Sequence, residues 1–562
     1  MSWDSNKLHQ FLRFTIGALT LLLLIQVFNA FRFRIDMTEE KRYSISEASQ
    51  QLLNNLEEPL TIESYLAGEL PSNFKRFQKS IDDLLDQFTI YAGNNLQYRF
   101  VDPSQATSTQ SRNEYMRSLI DKGLQPTNLT YTKDGQKSEK LVFPGVLITY
   151  GNKELAVPLL KGNRTSNPDE MLNQSIEGLE YELIAAIKSI TETNRKRIAY
   201  IVGHGEPDSV FLAGFTNAIL GKYDLFKVDL ASRTTPLVGY DVAIIGKPTE
   251  RFTEKEKYLI DQYVMNGGSL LVFVDALKVN VLEAEGEGTI ALPYDLNLED
   301  LLFRYGIRIN QDYVTDFSSG FYPVVSGNVG NQPRVELLPW PFFPIVSNYA
   351  DHPLVKGLDA TQLKFVSTMD TVKAKGVKKI PLIFTSQYTR VISPPVQVRF
   401  NDFNQELRPE FFQSGPRAVG YLLEGKFSSL YKNRILPKGI DQKTFEEESI
   451  GSKVIVVSDG DFIRNELSIN TEQPEPLLLG VDPYARTTYA NEEFLLRSLS
   501  YLTDEDGITL ARNKEVKIRP LDRVKIKNDR SFWVFINFGM PLLLLALFGL
   551  IKFLARKRKF AK

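Results

Sequence analysis

The sequence predicts an α/β protein in which two transmembrane helices flank a large extracytoplasmic region. That region is built around a doubly wound parallel sheet interrupted by a long insertion. Three observations predict this. Uncharged apolar runs occupy residues 14–31 and 532–551, and each suffices for a helix to cross a hydrocarbon core of about 30 Å. Between residues 197 and 276, short apolar runs ("RIAYIV", "VAIIG", "SLLVFV") alternate with helical patterns, as strands buried on both faces of a parallel sheet do. Finally, 562 residues exceed what one hydrophobic core organises.

Residues 1–13 form a short N-terminal segment carrying Lys7 and Arg13. The first apolar run, 14–31, ends in "VFNAFR", without the small-residue cleavage site of a signal peptide, so it reads as an uncleaved anchor. The second span, 532–554, opens with Trp533, a residue suited to the membrane interface. Lys552 near the end of the span and a basic tail, 555–562, with Arg556, Lys557, Arg558, Lys559 and Lys562, have no acid nearby. The positive-inside rule then places the C-terminus in the cytoplasm. Two spans bring the N-terminus there too and leave the intervening region outside. Gly17 and Asn29 in the first span, and Asn537, Gly539, Pro541 and Gly549 in the second, are small or polar. Such residues favour helix packing in lipid and mark candidate contacts with a membrane partner.

Residues 34–192 read as the first folded unit. A capping box from Ser44 to Glu47 opens a helix with Leu52, Leu53 and Leu56 on one face. A strand ("LTIESYLA") and a helix over 72–91 follow, then a second strand ("LQYRFVDP") and a helix over 113–122. "GVLITYG" and "ELAVPLL" pair as a hairpin around Gly151-Asn152. "SIEGLEYELIAAIKSIT" closes the unit as an amphipathic helix. The order βαβαββα is that of a thioredoxin-like domain, and the absence of cysteine removes any redox motif.

The second unit is flavodoxin-like, with a first part at 197–280 and a last part at 451–506. "RIAYIV", "FKVDLA", "YDVAIIG" and "SLLVFVDA" are its strands. One helix spans 209–221, with Phe211, Phe215 and Ile219 at helical spacing and Gly221 as its stop. Another starts at a capping box from Thr253 to Glu256. "VIVVSDGDF" at 454–462 returns as a further strand of the same sheet after the insertion, 281–450. That insertion contains strands, Pro- and Gly-rich loops and the aromatic run "LPWPFFP". A helix over 491–503 closes the unit, and a basic linker, 507–531, leads to the second span.

Ligands of doubly wound sheets bind outside the carboxyl ends of the strands. Those ends carry Gly203, His204, Gly205 and Glu206, then Asp275, then Asp459 and Asp461. This set is the candidate ligand site, suited to a polar molecule such as a sugar. The bland alternative is that the glycines make turns and the polar groups cap helices. Catalytic readings fare worse. The pattern from Gly203 has Asp208 where a dinucleotide turn needs its third glycine, although Asp229 sits where a ribose-binding acid would. An amidotransferase elbow needs cysteine, and the chain has none. G-x-S-x-G and the Walker A pattern are both missing. His9, His204 and His352 are scattered, so no histidine metal site is expected, and no cofactor is implied. Asp459 and Asp461 form an acid pair of the kind that serves turns more often than hydrolysis. The near-zero net charge, −1, gives no nucleic-acid footprint.

Several stretches, in this order, carry a family resemblance: "DMTEEKRYSIS", "IEGLEYELIAAIKSIT", "IVGHGEP", "YDVAIIGKP", "NGGSLLVFVDAL", "LEDLLFRYGIRIN", "HPLVKGL", "PLIFTSQYTRV", "VSDGDFIRNE" and "FINFGMPLLLLALFGLIKFLARKRK". Together they resemble the GldG family of gliding-motility-associated ABC transporter auxiliary or substrate-binding subunits. The resemblance implies a non-enzymatic subunit of the inner membrane, with its large domain periplasmic and both termini cytoplasmic. It implies an ABC permease and a cytoplasmic ATPase as partners, in a gliding bacterium of the Bacteroidetes type. It also implies an outer domain of the kind shared with intraflagellar-transport proteins, facing a glycan or other gliding-machinery proteins. The competing expectation is an anchored carbohydrate or solute receptor.

Overall fold

The computed structural model describes residues 5–30, 44–105, 108–133, 136–161, 168–192, 194–279, 281, 284, 288–329, 332–399, 407–440, 445–469, 473–513 and 529–560. It separates into two compact units, Met1–Lys514 and Glu515–Lys562. The first residues expected of the thioredoxin-like domain, up to 43, and most of the basic linker lie outside the described residues.

Helix α1 (Ser5–Ala30) opens the chain. The first α/β layer then runs α2 (Glu47–Asn54), β1 (Leu60–Ser64), α3 (Ser72–Ala92), β2 (Leu96–Phe100), α4 (Thr109–Asp121), β3 (Thr127–Lys133), β4 (Gln136–Val142), β5 (Gly145–Tyr150), β6 (Lys153–Pro158) and α5 (Pro168–Thr191). Its sheet has the order β2-β1-β5-β6, with β1 and β2 parallel and β5 antiparallel to both its neighbours. Apolar residues spaced three and four apart along α3 (Phe74, Phe77, Ile81, Leu84, Leu85, Phe88) are all buried. Each such burial stabilises by about 1.5–3 kcal/mol.

Two expectations are corrected here. The α2 cap is Ser46, whose side chain accepts from the Ser49 backbone, and not Ser44. Ser46 has Ser49 and not Glu or Gln three residues on, so it caps the helix without the reciprocal box that favoured Ser44. Strands β3 and β4 form an additional hairpin that polar sequence conceals.

The second layer runs β7 (Arg197–Val202), α6 (Ala213–Leu220), β8 (Asp224–Asp229), β9 (Val242–Gly246), α7 (Glu254–Met265) and β10 (Ser269–Phe273). After α8 (Glu299–Tyr305), the insertion supplies a long ribbon of β11 (Ser319–Val329) and β12 (Gln332–Val346), then β13 (Asn348–Tyr349), β14 (Val377–Phe384) and β15 (Ala418–Gly425). Strand β16 (Ser452–Val457) and helix α9 (Asn491–Leu502) complete it. The 8-stranded sheet has the order β13-β14-β15-β16-β10-β9-β7-β8. From β16 to β8 all pairs are parallel, and from β16 outward to β13 all are antiparallel.

Alternation along the strands sorts side chains to two faces. Ile198, Tyr200, Ile244, Leu271, Phe273, Ile455 and Val457 pack with α6 and α9. Ala199, Ile201, Ile245, Val272 and Val456 pack with α7 and α8. The insertion is therefore not a separate lobe throughout, because β13, β14 and β15 extend the main sheet. The aromatic run "LPWPFFP" lies on β12, where Trp340, Phe342 and Phe343 join Tyr313 and Phe365 in a cluster.

Helix α6 starts at Ala213, later than the expected 209, leaving an irregular turn after Gly203. Beyond α9, a 3-10 turn at Ile508–Asn513 returns to the first layer, where Ile508 and Ala511 join its core. This part of the expected linker is thus folded onto α5. Lys188 pairs with Asp506 at 2.6 Å and Lys196 with Glu505 at 2.7 Å, and the Tyr181 and Ser500 hydroxyls meet at 3.1 Å.

In the C-terminal unit, helix α10 (Arg530–Lys559) is long and apolar enough to cross a membrane. The shorter apolar run in α1 is Leu12–Leu23. The apolar side chains of both are exposed, as with Leu23 at 63% and Leu542 at 67%. A π turn at Phe535–Gly539 precedes Pro541. Proline has no N–H to give and crowds the carbonyl of the preceding turn, and a widened turn absorbs both effects.

Candidate functional site

The strand-end residues expected to form one site fall into two groups. The first follows β7. Gly203 (φ 108) and Gly205 (φ 73) take left-handed conformations open to glycine. A side chain on Gly205 would also meet the Thr249 hydroxyl at 2.2 Å. Between them the backbone folds over, so that the His204 carbonyl accepts from the Thr249 and Glu250 amides at 2.8 and 2.9 Å.

The His204 side chain turns inward and is 3% exposed. Its ring stacks on Phe252, with centroids 3.6 Å apart. Nε2 lies 3.3 Å from Glu256 Oε2, and Nδ1 lies 3.7 Å from Glu206 Oε1. Glu206 Oε2 accepts from the Gly203 and His204 amides, each at 3.0 Å. Glu256 simultaneously closes the capping box of α7 with Thr253, as expected from the sequence. Burial disfavours charge on the imidazole, but the two glutamates outweigh it and hold its pKa above the usual histidine value. Both glutamates lie below their ordinary range despite burial: the nearby His204 ring and the His204 and Gly203 amides lower Glu206, and the Thr253 hydroxyl and amide with the His204 ring lower Glu256. His204 is thus a clamp joining the β7 turn to the first turn of α7.

No helix begins at this glycine turn, so the backbone array that cradles a pyrophosphate is not formed. Asp229 accepts from the Ala231 amide at 2.9 Å, a turn contact.

The second group lies at the ends of β9, β10 and β16. Lys247, a non-glycine residue with φ 48, follows β9. Its Nζ lies 2.7 Å from both Asp275 Oδ2 and Asp461 Oδ2. Asp275 Oδ1 accepts from the Gly460 amide at 2.7 Å, and Asp459 Oδ2 accepts from the Lys364 amide at 2.8 Å. Lys364 pairs with Glu466. Burial, reinforced by Asp275 and Asp461, pushes the Asp459 carboxyl well above the usual range. Burial also raises Asp275 against the pull of Lys247. Asp461 is the reverse, since Lys247 and Lys364 overcome burial and lower it. Asp275 and Asp459 are buried. The strand ends therefore present a neutralised internal network rather than an open acidic lip.

Sequence reasoning missed Lys247, Lys364, Phe252 and the second role of Glu256. Lys247 was legible in principle, since a cation directly after "VAIIG" occupies a strand end. Lys364 comes from the insertion and carries no local signal. A shallow depression of about 400 Å³ opens elsewhere, lined by Ser468, Leu477, Asp482, Arg486 and Thr488 among others, and none of Glu206, Asp275, Asp459 and Asp461 lines it.

The candidate membrane-contact residues differ in kind. Gly17 and Gly549 have nothing within 4 Å of an added Cβ, so they leave notches on exposed helix surface. Gly539 sits under the Phe535 ring, 2.8 Å from an added Cβ, which gives it a local reason. The Asn537 amide donates to the Trp533 carbonyl at 2.8 Å. The side chain of Asn29 lies outside the described residues.

Fold and site define a mixed α/β protein with exposed apolar helices, whose strand ends are internally neutralised. The chain belongs to the ABC-transporter auxiliary family, described as an ABC-type uncharacterized transport system, which matches residues 195–498. Residues 39–149 match a domain of unknown function, DUF7088. An uncharacterized protein of Borreliella burgdorferi is 21% identical over 579 residues, covering 99% of each chain. Among solved structures, the mmIFT52 N-terminal domain is similar at 15% identity and a TM-score of 0.31, covering 55% of this chain and 98% of that one. A ThuA-like protein from Parabacteroides merdae is similar at 12% identity and a TM-score of 0.27, covering 59% and 94%.

Proposed function

We propose that this chain is a non-catalytic, two-pass subunit of an ABC-type complex. In this reading α1 and α10 are its membrane anchors, and its thioredoxin-like and flavodoxin-like layers share one side of the inner membrane. The observation that carries it is where the folded region begins and ends. Glu180 of α5 accepts from the Ser46 amide at 2.6 Å and the Ser49 hydroxyl at 2.8 Å. Arg512 stacks over Tyr181 at 3.6 Å and lies 3.7 Å from Glu182. Three consecutive residues of α5 thus hold both the start and the end of the folded region. Connections leaving from one place reach one membrane face without spanning the domain. A permease and an ATPase are the partners such an auxiliary subunit requires, and movement of the anchors against each other would load α5 directly. The link to gliding motility rests on the sequence resemblance.

The absence of cysteine makes topology testable with single introduced thiols. A membrane-impermeant maleimide should label Ser232→Cys from the periplasmic side and reach Lys562→Cys only after the inner membrane is opened. Labelling of both positions from the same side sinks the two-pass reading.

A second reading is solute or glycan reception, for which the shallow, open depression of about 400 Å³ beside Arg486 is a place to look. Calorimetry against a sugar panel should show binding that Arg486→Ala weakens. Binding lost instead in His204→Ala would return the ligand to the strand ends.

A further inference from the structure

We propose that Asp275, Asp459 and Asp461 form a calcium site in which the Lys247 ammonium acts as a displaceable placeholder. One carboxylate oxygen from each aspartate lies within 4.8 Å of the others. Oxygens on opposite sides of a calcium ion stand about 4.6–5.2 Å apart, so this span admits the ion without moving the strands. The donor set is all oxygen, which selects hard divalent cations over softer metals.

An independent observation points to a missing ligand. Asp459 is 0% exposed, and its Oδ1 has no hydrogen-bond partner. A buried carboxylate oxygen without a partner is costly. Charge points the same way. The three carboxylates share the Lys247 ammonium, while Arg464 reaches only Asp461, at 3.7 Å, and Lys364 is engaged by Glu466. A divalent cation more than replaces the single charge that Lys247 withdraws when it leaves. Lys247 retains 17% side-chain exposure, and its long stem can carry the ammonium outward when the ion enters. Gly460 keeps the loop close enough, since an added Cβ would stand 2.8 Å from Asp275 Oδ2 and from Lys247 Cγ. The inference does not depend on the proposed transporter role.

The test uses the full chain in detergent with terbium(III) as probe. Tyr294, whose amide donates to the Ala276 carbonyl at 3.0 Å beside Asp275, serves as the sensitiser. The expected result is saturable terbium luminescence that calcium displaces, with Asp459→Asn weakening it by about ten-fold or more. Lys247→Met should bind more tightly than the wild type. In the wild-type protein, calcium should also raise the unfolding midpoint and EDTA should reverse the rise. This arm needs no variant to fold. Luminescence unchanged by Asp459→Asn, or a wild-type midpoint indifferent to calcium and EDTA, overturns the site.

Discussion

At the residue scale, His204 is worth most as a charged clamp. Its pKa is raised in the folded protein, so its contribution is complete below the unfolded value of about 6.5 and fades as pH rises through the folded value. Glu206 and Glu256 are lowered, so theirs is present above about 4.5 and lost on acidification. The stability gap between wild type and His204→Gln should therefore be widest between those limits, at about 1–3 kcal/mol, and narrow on the alkaline side. Denaturant unfolding over a pH series measures it, and a gap that grows as pH rises above the histidine range contradicts the clamp. Gly460→Ala should cost about 1–3 kcal/mol, because its methyl group would press into Asp275 and Lys247. A wild-type unfolding midpoint in that variant would show the loop to be slack. "IVGHGEP" displayed a histidine among glycines and acids. It did not display that Phe252 and Glu256, some fifty residues on, turn the ring inward.

At the element scale, strand and helix identities were largely legible because buried strands need unbroken apolar runs. "VIVV" returned to the sheet beside β10 as its apolar run and acidic end suggested. Legibility failed where polar residues do structural work. Strands β3 and β4 carry only a short apolar alternation, Leu129 and Tyr131, and β14 and β15 extend the sheet from within a stretch whose loops masked them. The α2 cap is the case with a measurable consequence. Ser46→Ala should cost about 1 kcal/mol by freeing the first turn of α2. Glu180→Ala should cost about 1–3 kcal/mol by orphaning the Ser46 amide and Ser49 hydroxyl. Because the Ser49 hydroxyl touches both the Ser46 hydroxyl and the Glu180 carboxylate, the double variant should lose less than the sum. Strict additivity in a double-mutant cycle would mean the start of the folded region is not gripped by α5.

At the scale of the whole molecule, α5 is the common fixture. It packs in the first layer, holds the start of the folded region through Glu180, and meets its end through Tyr181 and Glu182. Sequence periodicity showed α5 as an amphipathic helix. It could not show that residues more than three hundred positions later fold back onto it, since that contact depends on the closure of both sheets. The family assignment gives the chain its association with an ABC-type transport system, and the exposed apolar surfaces of α1 and α10 are compatible with membrane association. The central claim is that the chain works as a subunit and not alone. Gentle detergent extraction of the tagged full-length chain at native abundance, followed by mass spectrometry of the intact assembly, tests this most directly. The account predicts a stable complex containing a polytopic permease and a nucleotide-binding ATPase. A solitary, monodisperse chain under the same conditions would contradict it.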